Sequence, residues 1–430
     1  MHAVKYINLK LVSRKSSLSG EILVPSSKSH TIRAVAIACM ADGTSVLKNP
    51  LKSADTFSAI RAAQEFGAKV KEEETQWIIE GIAGKISPAA CFIDVANSGT
   101  SLRIFTALAA VAGHRIGFDG DNSVRKRPMG SLLTALQNLG AVIEPQNQRC
   151  PFTITGPIRG GTTSVDGMSS QFLTALLFAT PLIIGDTEIL VENLHEKPYI
   201  EITLDWLRSQ NIRFEQNGLE WFKMKGNQQF KAFNRQMPAD FSSATFAVCA
   251  AAVTGSEILI KGLDFSDHQG DKMVFEHLNK MGVKLQQQKD GLIVKGGELT
   301  GIDIDMNATP DALPALAVVG CFAKGTTRLL NVAQARLKEC DRINAIATEL
   351  TKMGGKIQEL EDGLIIEKSV LHGGSVHGYD DHRMVMALAI AGLGVKDETI
   401  VDTAEAIKIT YPSFIEDMKQ IGAVFEKIND

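Results

Sequence analysis

One pattern is written six times along this chain, roughly every 70 residues, and a repeat of that length dictates most of what the chain can become. An apolar residue opens a short polar turn, and a run of small apolar residues suited to a helix follows. The openers are Val24, Val95, Val165, Met237, Met306 and Val376. Their turns read PSSKSHTIR, ANSGTSLR, DGMSSQF, PADFSSATF, NATPDAL and HGYDDHRM. A second marker keeps the same phase: GAKV from Gly67, GAVI from Gly140, NIRF from Asn211, GVKL from Gly282, GGKI from Gly354 and GAVF from Gly422. Two markers in constant phase over the whole chain define six structural repeats.

The runs after the turns, such as AVAIACMADG, IFTALAAVAG and VMALAIAGLG, are apolar on every side. A surface helix keeps a polar face, so these helices are expected to be buried. None reaches the roughly 18 apolar residues that a membrane-spanning helix needs. Strand-like stretches (TSVLKNPL, TEILVENL, SEILIKGL) and amphipathic ones (TFSAIRAAQEF, DRINAIATELTKM) fill the rest of each repeat. The pattern predicts an α/β fold whose repeats run strand, buried helix, strand, outer helix, strand, strand, with helices inside and strands around them. An open solenoid of helix pairs is the alternative, and strand segments in every repeat argue against it. Six repeats divide most simply into two groups of three. The polar stretch WFKMKGNQQFKAFNRQMPAD is the expected crossing, and residues 5–12 read as a strand that pairs with the last repeat. The expected lobes are therefore 23–238, and 1–22 together with 239–430. The chain crosses twice between them, as a hinge requires.

A net charge of −4 and an aromatic content of 6% exclude general nucleic-acid affinity, which needs a basic face and stacking platforms. The six cysteines (Cys39, Cys91, Cys150, Cys249, Cys321, Cys340) are dispersed, with no C-x-x-C. In a core-rich chain without a signal peptide they read as small buried hydrophobes in a reducing, cytoplasmic protein. No metal-ligand spacing is present.

The chemistry is expected in the turns before the buried helices. A helix N-terminus offers unpaired N–H groups and partial positive charge, so it is prepared for anions. The same turns carry cations: Lys28 and Arg33 in the first, Arg103 in the second and Arg383 in the sixth. Arg125, Lys126 and Arg127 precede Pro128, and RLKECDR supplies Arg336, Lys338, Glu339, Asp341 and Arg342. Many fixed cations in an acidic protein point to a small ligand bearing phosphate or carboxylate groups. Ser29, Ser169, Ser170 and Gln171 are uncharged donors suited to orienting it. Each has a plainer reading: Asn97 and Ser169 as caps, Asp311 as a residue favoured at a helix start, Gly99 as a tight-turn glycine, RLKECDR as a solvated helix face. Recurrence of the exceptional residues at one structural position favours the functional reading.

These residues resemble the 5-enolpyruvylshikimate-3-phosphate synthase family along essentially the whole chain. The resemblance rests on SKSHTIR at 27–33, NSGTSLR at 97–103, RKRPM at 125–129, SSQFLTALL at 169–177, KPYIEIT at 197–203, PDA at 310–312, LKECDRI at 337–343 and DDHRM at 380–384. It implies a two-lobed inside-out α/β barrel with the active site in the cleft between the lobes. It also implies transfer of the enolpyruvyl group of phosphoenolpyruvate to the 5-hydroxyl of shikimate 3-phosphate, with no metal or organic cofactor; a monomer is expected. Matched motif by motif, Lys28, Ser29, Arg33, Ser169, Ser170, Gln171, Tyr199, Asp311 and Lys338 are expected to face shikimate 3-phosphate. Lys28, Gly99, Arg127, Gln171, Arg342, Arg383 and Lys408 are expected to hold phosphoenolpyruvate. Lys28, Asp311 and Glu339 are the implied catalytic residues, Glu339 as acid toward the methylene carbon and Asp311 as base on the hydroxyl. An unsubstituted Gly99 implies sensitivity to glyphosate.

The chain departs from the family pattern in places. Ser26 stands for a frequent glycine, Ile104 for a proline, Glu196 for a serine that helps hold the substrate phosphate, and Gln334 for an asparagine. Lys408 lies one residue further from Pro412 than is common. These changes touch substrate contacts more than reaction type. The nearest rival is the enolpyruvyl transferase acting on UDP-N-acetylglucosamine, but the loop DGDNSVRKRPM lacks the cysteine common there. An RNA 3′-phosphate cyclase shares the repeat but needs a basic surface, and a silent binding module has no use for an acid–base pair.

Overall fold

The computed structural model describes residues 9–88, 92–146 and 148–429. Residues 5–8 of the expected N-terminal strand, and Cys91, lie outside the described residues. All six expected buried helices are present: Lys28–Met40, Gly99–Ala109, Ser170–Ala179, Phe241–Thr254, Leu313–Phe322 and His382–Gly394. From their second or third residue onward they are buried almost without interruption, as side chains apolar on every side require. The six openers are buried too, which explains why each turn is announced by an apolar residue.

Around these helices lie six four-stranded sheets of one design. A short opening strand runs parallel to the strand after the buried helix; in five sheets the repeat's last strand pairs antiparallel with that strand, and its penultimate strand pairs antiparallel with the last at the sheet edge. In the second repeat Phe92–Asp94 pairs parallel with Arg115–Asp119, which pairs antiparallel with Phe152–Thr155. The fold is thus a two-lobed inside-out α/β barrel. The chain separates into two compact lobes, Ser26–Pro238 with Ser266–Gln269, and Met1–Pro25 with Ala239–Phe265 and Gly270–Asp430. Each has its own continuous apolar core.

The second marker has a backbone cause. Gly67, Gly140, Asn211, Gly282, Gly354 and Gly422 follow the outer helices, and all six have positive φ, between 56° and 114°. A helix commonly ends on one residue in the left-handed region, where glycine is unstrained and asparagine is the best substitute. Among the described residues no helix is long and apolar enough to cross a membrane. Cys39, Cys150, Cys249 and Cys321 are buried thiols, and Cys340 is partly covered.

Candidate active-site residues

In the second lobe four of the expected residues gather around the guanidinium of a fifth. Arg342, at the start of helix Arg342–Lys352, is 1% exposed and meets three carboxylates. Its Nε donates to Asp381 Oδ2 at 2.8 Å, Nη1 to Asp311 Oδ1 at 2.8 Å and Nη2 to Glu339 Oε2 at 2.6 Å. Arg383 Nη2 lies 2.9 Å from Asp311 Oδ2, and Lys338 Nζ 3.8 Å from Asp311 Oδ1. Burial opposes the charge of Arg342, but Asp381, Glu339 and Asp311 outweigh it and hold its pKa well above the ordinary value. Three cations and three carboxylates therefore balance in this cluster. A buried charge is tolerated only when paired in this way.

Local sequence explains the placement. Asp381 is the N-cap of helix His382–Gly394 and accepts from the Arg383 N–H at 2.8 Å, so one carboxylate starts the helix and anchors Arg342. The run RLKECDR is not a continuous solvated helix face. A short turn, Ala333–Leu337, ends before Lys338, and Asp341 caps a new helix. The break turns Glu339 and Arg342 inward, while Arg336 pairs with Asp341 and Glu359 nearer the surface.

In the first lobe the turns before three buried helices carry the expected groups. Lys28 Nζ lies 3.2 Å from Asp55 Oδ2. Arg33 is buried and donates from Nε to Thr203 Oγ1, from Nη1 to the Ser29 carbonyl and from Nη2 to Thr174 Oγ1 and the Tyr199 carbonyl. Burial lowers its pKa to about 10, leaving it charged at neutral pH. Gly99 opens its helix beneath two buried guanidiniums. A Cβ there would strike that of Arg103 and come within 2.7 Å of Arg127 Nη1. Arg127 Nη2 is braced by Asn97 Oδ1 at 3.3 Å and Ser123 Oγ at 3.0 Å. Asn97 is thus not the helix cap; Ser98 is, accepting from the Ser101 N–H.

Ser169 precedes helix Ser170–Ala179 with no side-chain cap bond, and Gln171 Oε1 is buried without a hydrogen-bond partner. Ser170 Oγ donates to Glu196 Oε2 at 2.7 Å. Lys408 is exposed on the short helical segment Ala404–Ile409. Three groups in these clusters escaped the sequence reading: Asp55, Asp381 as the anchor of Arg342, and the buried pair Asp271–Ser242. Asp381 stands in the quoted DDHRM motif, but an aspartate before a helix reads as a cap, and nothing local announces a second role.

Buried arginines at the helix starts of a six-repeat inside-out barrel make this a protein fitted to bind small anionic ligands. A family model described as EPSP synthase (3-phosphoshikimate 1-carboxyvinyltransferase) matches residues 12–418. The chain is 47% identical over 412 residues to the 3-phosphoshikimate 1-carboxyvinyltransferase of Acetivibrio thermocellus, covering 95% of this chain and 97% of that protein. It is 42% identical over 427 residues to that of Methanosarcina acetivorans, covering 97% and 98%. The solved EPSP synthase of Acinetobacter baumannii superposes with a TM-score of 0.82 at 25% identity, covering 98% of this chain and all of that one. The chain belongs to the EPSP synthase family.

Proposed function

We infer that this enzyme transfers the enolpyruvyl group of phosphoenolpyruvate to the 5-hydroxyl of shikimate 3-phosphate, giving 5-enolpyruvylshikimate 3-phosphate and phosphate in the shikimate pathway. The observation that carries the residue assignment is the Arg342 cluster, in which the cations stand ready but already neutralised. An arriving phosphoenolpyruvate that takes Arg342 and Arg383 strips Glu339 and Asp311 of their partners. Loss of a nearby cation favours the protonated carboxyl, so substrate binding itself prepares the acid.

We assign the steps as follows. Glu339 gives its proton to the methylene carbon, and the neighbouring carbon becomes cation-like. The 5-hydroxyl adds there while Asp311 takes its proton. Loss of phosphate from the tetrahedral adduct, with the methyl proton returning to Glu339, re-forms the carbon–carbon double bond and gives the enol ether product. The hydroxyl proton leaves with the phosphate. Lys28, Arg127, Arg342 and Arg383 stabilise the charge on the departing group. Gly99 leaves room for phosphoenolpyruvate, with Gln171 beside it. Ser29, Arg33, Ser169, Ser170, Tyr199 and Lys338 orient shikimate 3-phosphate, the Ser170 helix start taking its phosphate. Lys408 is assigned to phosphoenolpyruvate on motif position alone. Dispersed thiols suit a cytoplasmic enzyme, which cell fractionation tests.

The deciding assay is phosphate release from phosphoenolpyruvate with shikimate 3-phosphate or UDP-N-acetylglucosamine supplied. Release with the former is expected; release with the nucleotide sugar alone overturns the assignment. Glu339→Ala with undiminished turnover removes Glu339 as the acid.

A further inference from the structure

We propose that Glu196 is a specificity-determining residue whose carboxylate holds, in the resting enzyme, the anion seat at the start of helix Ser170–Ala179 and must yield it to the acceptor's phosphate. Glu196 is 2% exposed, and its Oε2 accepts both the Ser170 hydroxyl at 2.7 Å and the Ser170 N–H at 3.4 Å. A hydroxyl and an amide each carry a single hydrogen to donate. Neither can serve a carboxylate and a phosphate at once, so the two anions compete for the same pair of hydrogens.

The backbone keeps the carboxylate in place. Glu196 has φ 55° and ψ 38°, a left-handed conformation that strains a residue with a side chain. It is the residue before helix Lys197–Ser209, and its carbonyl accepts from the Tyr199 N–H at 3.0 Å. The chain therefore enters that helix with the side chain directed onto Ser170. Such a residue lowers affinity for any acceptor whose phosphate needs that helix start. It leaves the phosphoenolpyruvate side of the reaction untouched.

The inference rests on the reading that the Ser170 helix start takes the acceptor's phosphate, and steady-state kinetics of the full-length enzyme separate the two. Glu196→Gln keeps the shape without the charge, and Glu196→Ser empties the seat. The KM for shikimate 3-phosphate is expected to fall in both, more for serine, by about tenfold, the equivalent of ~1.4 kcal/mol. The KM for phosphoenolpyruvate and kcat stay unchanged. Ser170→Ala is expected to raise the acceptor KM. If it does so while both Glu196 variants leave that KM unchanged or raise it, Glu196 assists binding and the proposal is wrong. If Ser170→Ala has no effect on the acceptor KM, the phosphate reading and the proposal fall together.

Discussion

Asp271 is buried in the second lobe, where the Ser242 hydroxyl donates to its Oδ2 and its Oδ1 has no hydrogen-bond partner. Burial first, then the charges of Asp311 and Asp240, push its pKa up to about 7, against the pull of Arg383 and Ser242. The folded protein thus keeps a proton that the unfolded chain releases near 3.8. Its contribution to stability is full below that unfolded value and is lost as the pH rises through about 7. Asp271→Asn cannot ionise and still faces Ser242. It is expected to flatten the fall in urea midpoint between pH 4 and pH 7 and to exceed the wild type at pH 8. A variant curve parallel to the wild type would assign that proton elsewhere. Gly99 makes a second residue-scale prediction. Any Cβ there meets two buried guanidiniums, so Gly99→Ala should raise the KM for phosphoenolpyruvate and weaken inhibition by glyphosate, with a smaller change in the KM for shikimate 3-phosphate. Inhibition curves at fixed acceptor concentration check it.

At the scale of elements, the glycines after the outer helices matter for backbone conformation. Gly140 is the clean case: its φ is +106°, and a Cβ there would meet nothing within 4 Å. Gly140→Ala should destabilise the fold by about 1 kcal/mol through strain alone, measured by urea unfolding. Asn211→Gly at the equivalent place in the third repeat should be neutral or slightly stabilising. The inner helices were legible because helices apolar on every side have no other home, and the marker residues because a left-handed turn admits few types. The short helix Asn122–Lys126 carries no periodic signal and went unread. The site was legible in its parts, since Lys338, Glu339, Arg342, Asp311 and Arg383 all stand in recognisable turns. Their pairing was not: Arg342 and Asp381 are 39 residues apart, and what joins them is the packing of two helix starts in neighbouring repeats. The break inside RLKECDR was hidden for a related reason. Its charge spacing suits a helix, and the cap at Asp341 overrides that spacing.

For the whole molecule, the informative elements are those that leave their own repeat. Strand Glu21–Leu23 opens the first repeat in sequence but pairs parallel with Glu257–Lys261 of the fourth, while Asn234–Gln236 opens the fourth and pairs with Thr44–Lys48 of the first. Each of these opening strands thus stays in a sheet of the lobe that the chain is about to leave. The N-terminal strand goes further. In five sheets the strand antiparallel to the one after the buried helix comes from the same repeat, but in the sixth sheet Leu9–Arg14 fills that place, between Thr399–Val401 and Val424–Asn429. Leu11 and Val12 are buried there, and Ser13 Oγ donates to the Ala389 carbonyl of the last buried helix at 2.7 Å. Residues from opposite ends of the described chain, such as Leu9 and Asn429, therefore close the second lobe. Removing residues 1–14 takes out an interior strand and leaves both neighbours with unpaired N–H and C=O groups. Such a truncation is expected to lose hydrogen-exchange protection in Thr399–Val401, Val424–Asn429 and helix His382–Gly394. Ser26–Pro238, with a core of its own, is expected to keep its protection. Uniform loss across both lobes would mean that the two cores fold as one cooperative body, and retained protection in the sixth sheet would mean that the N-terminal strand is dispensable.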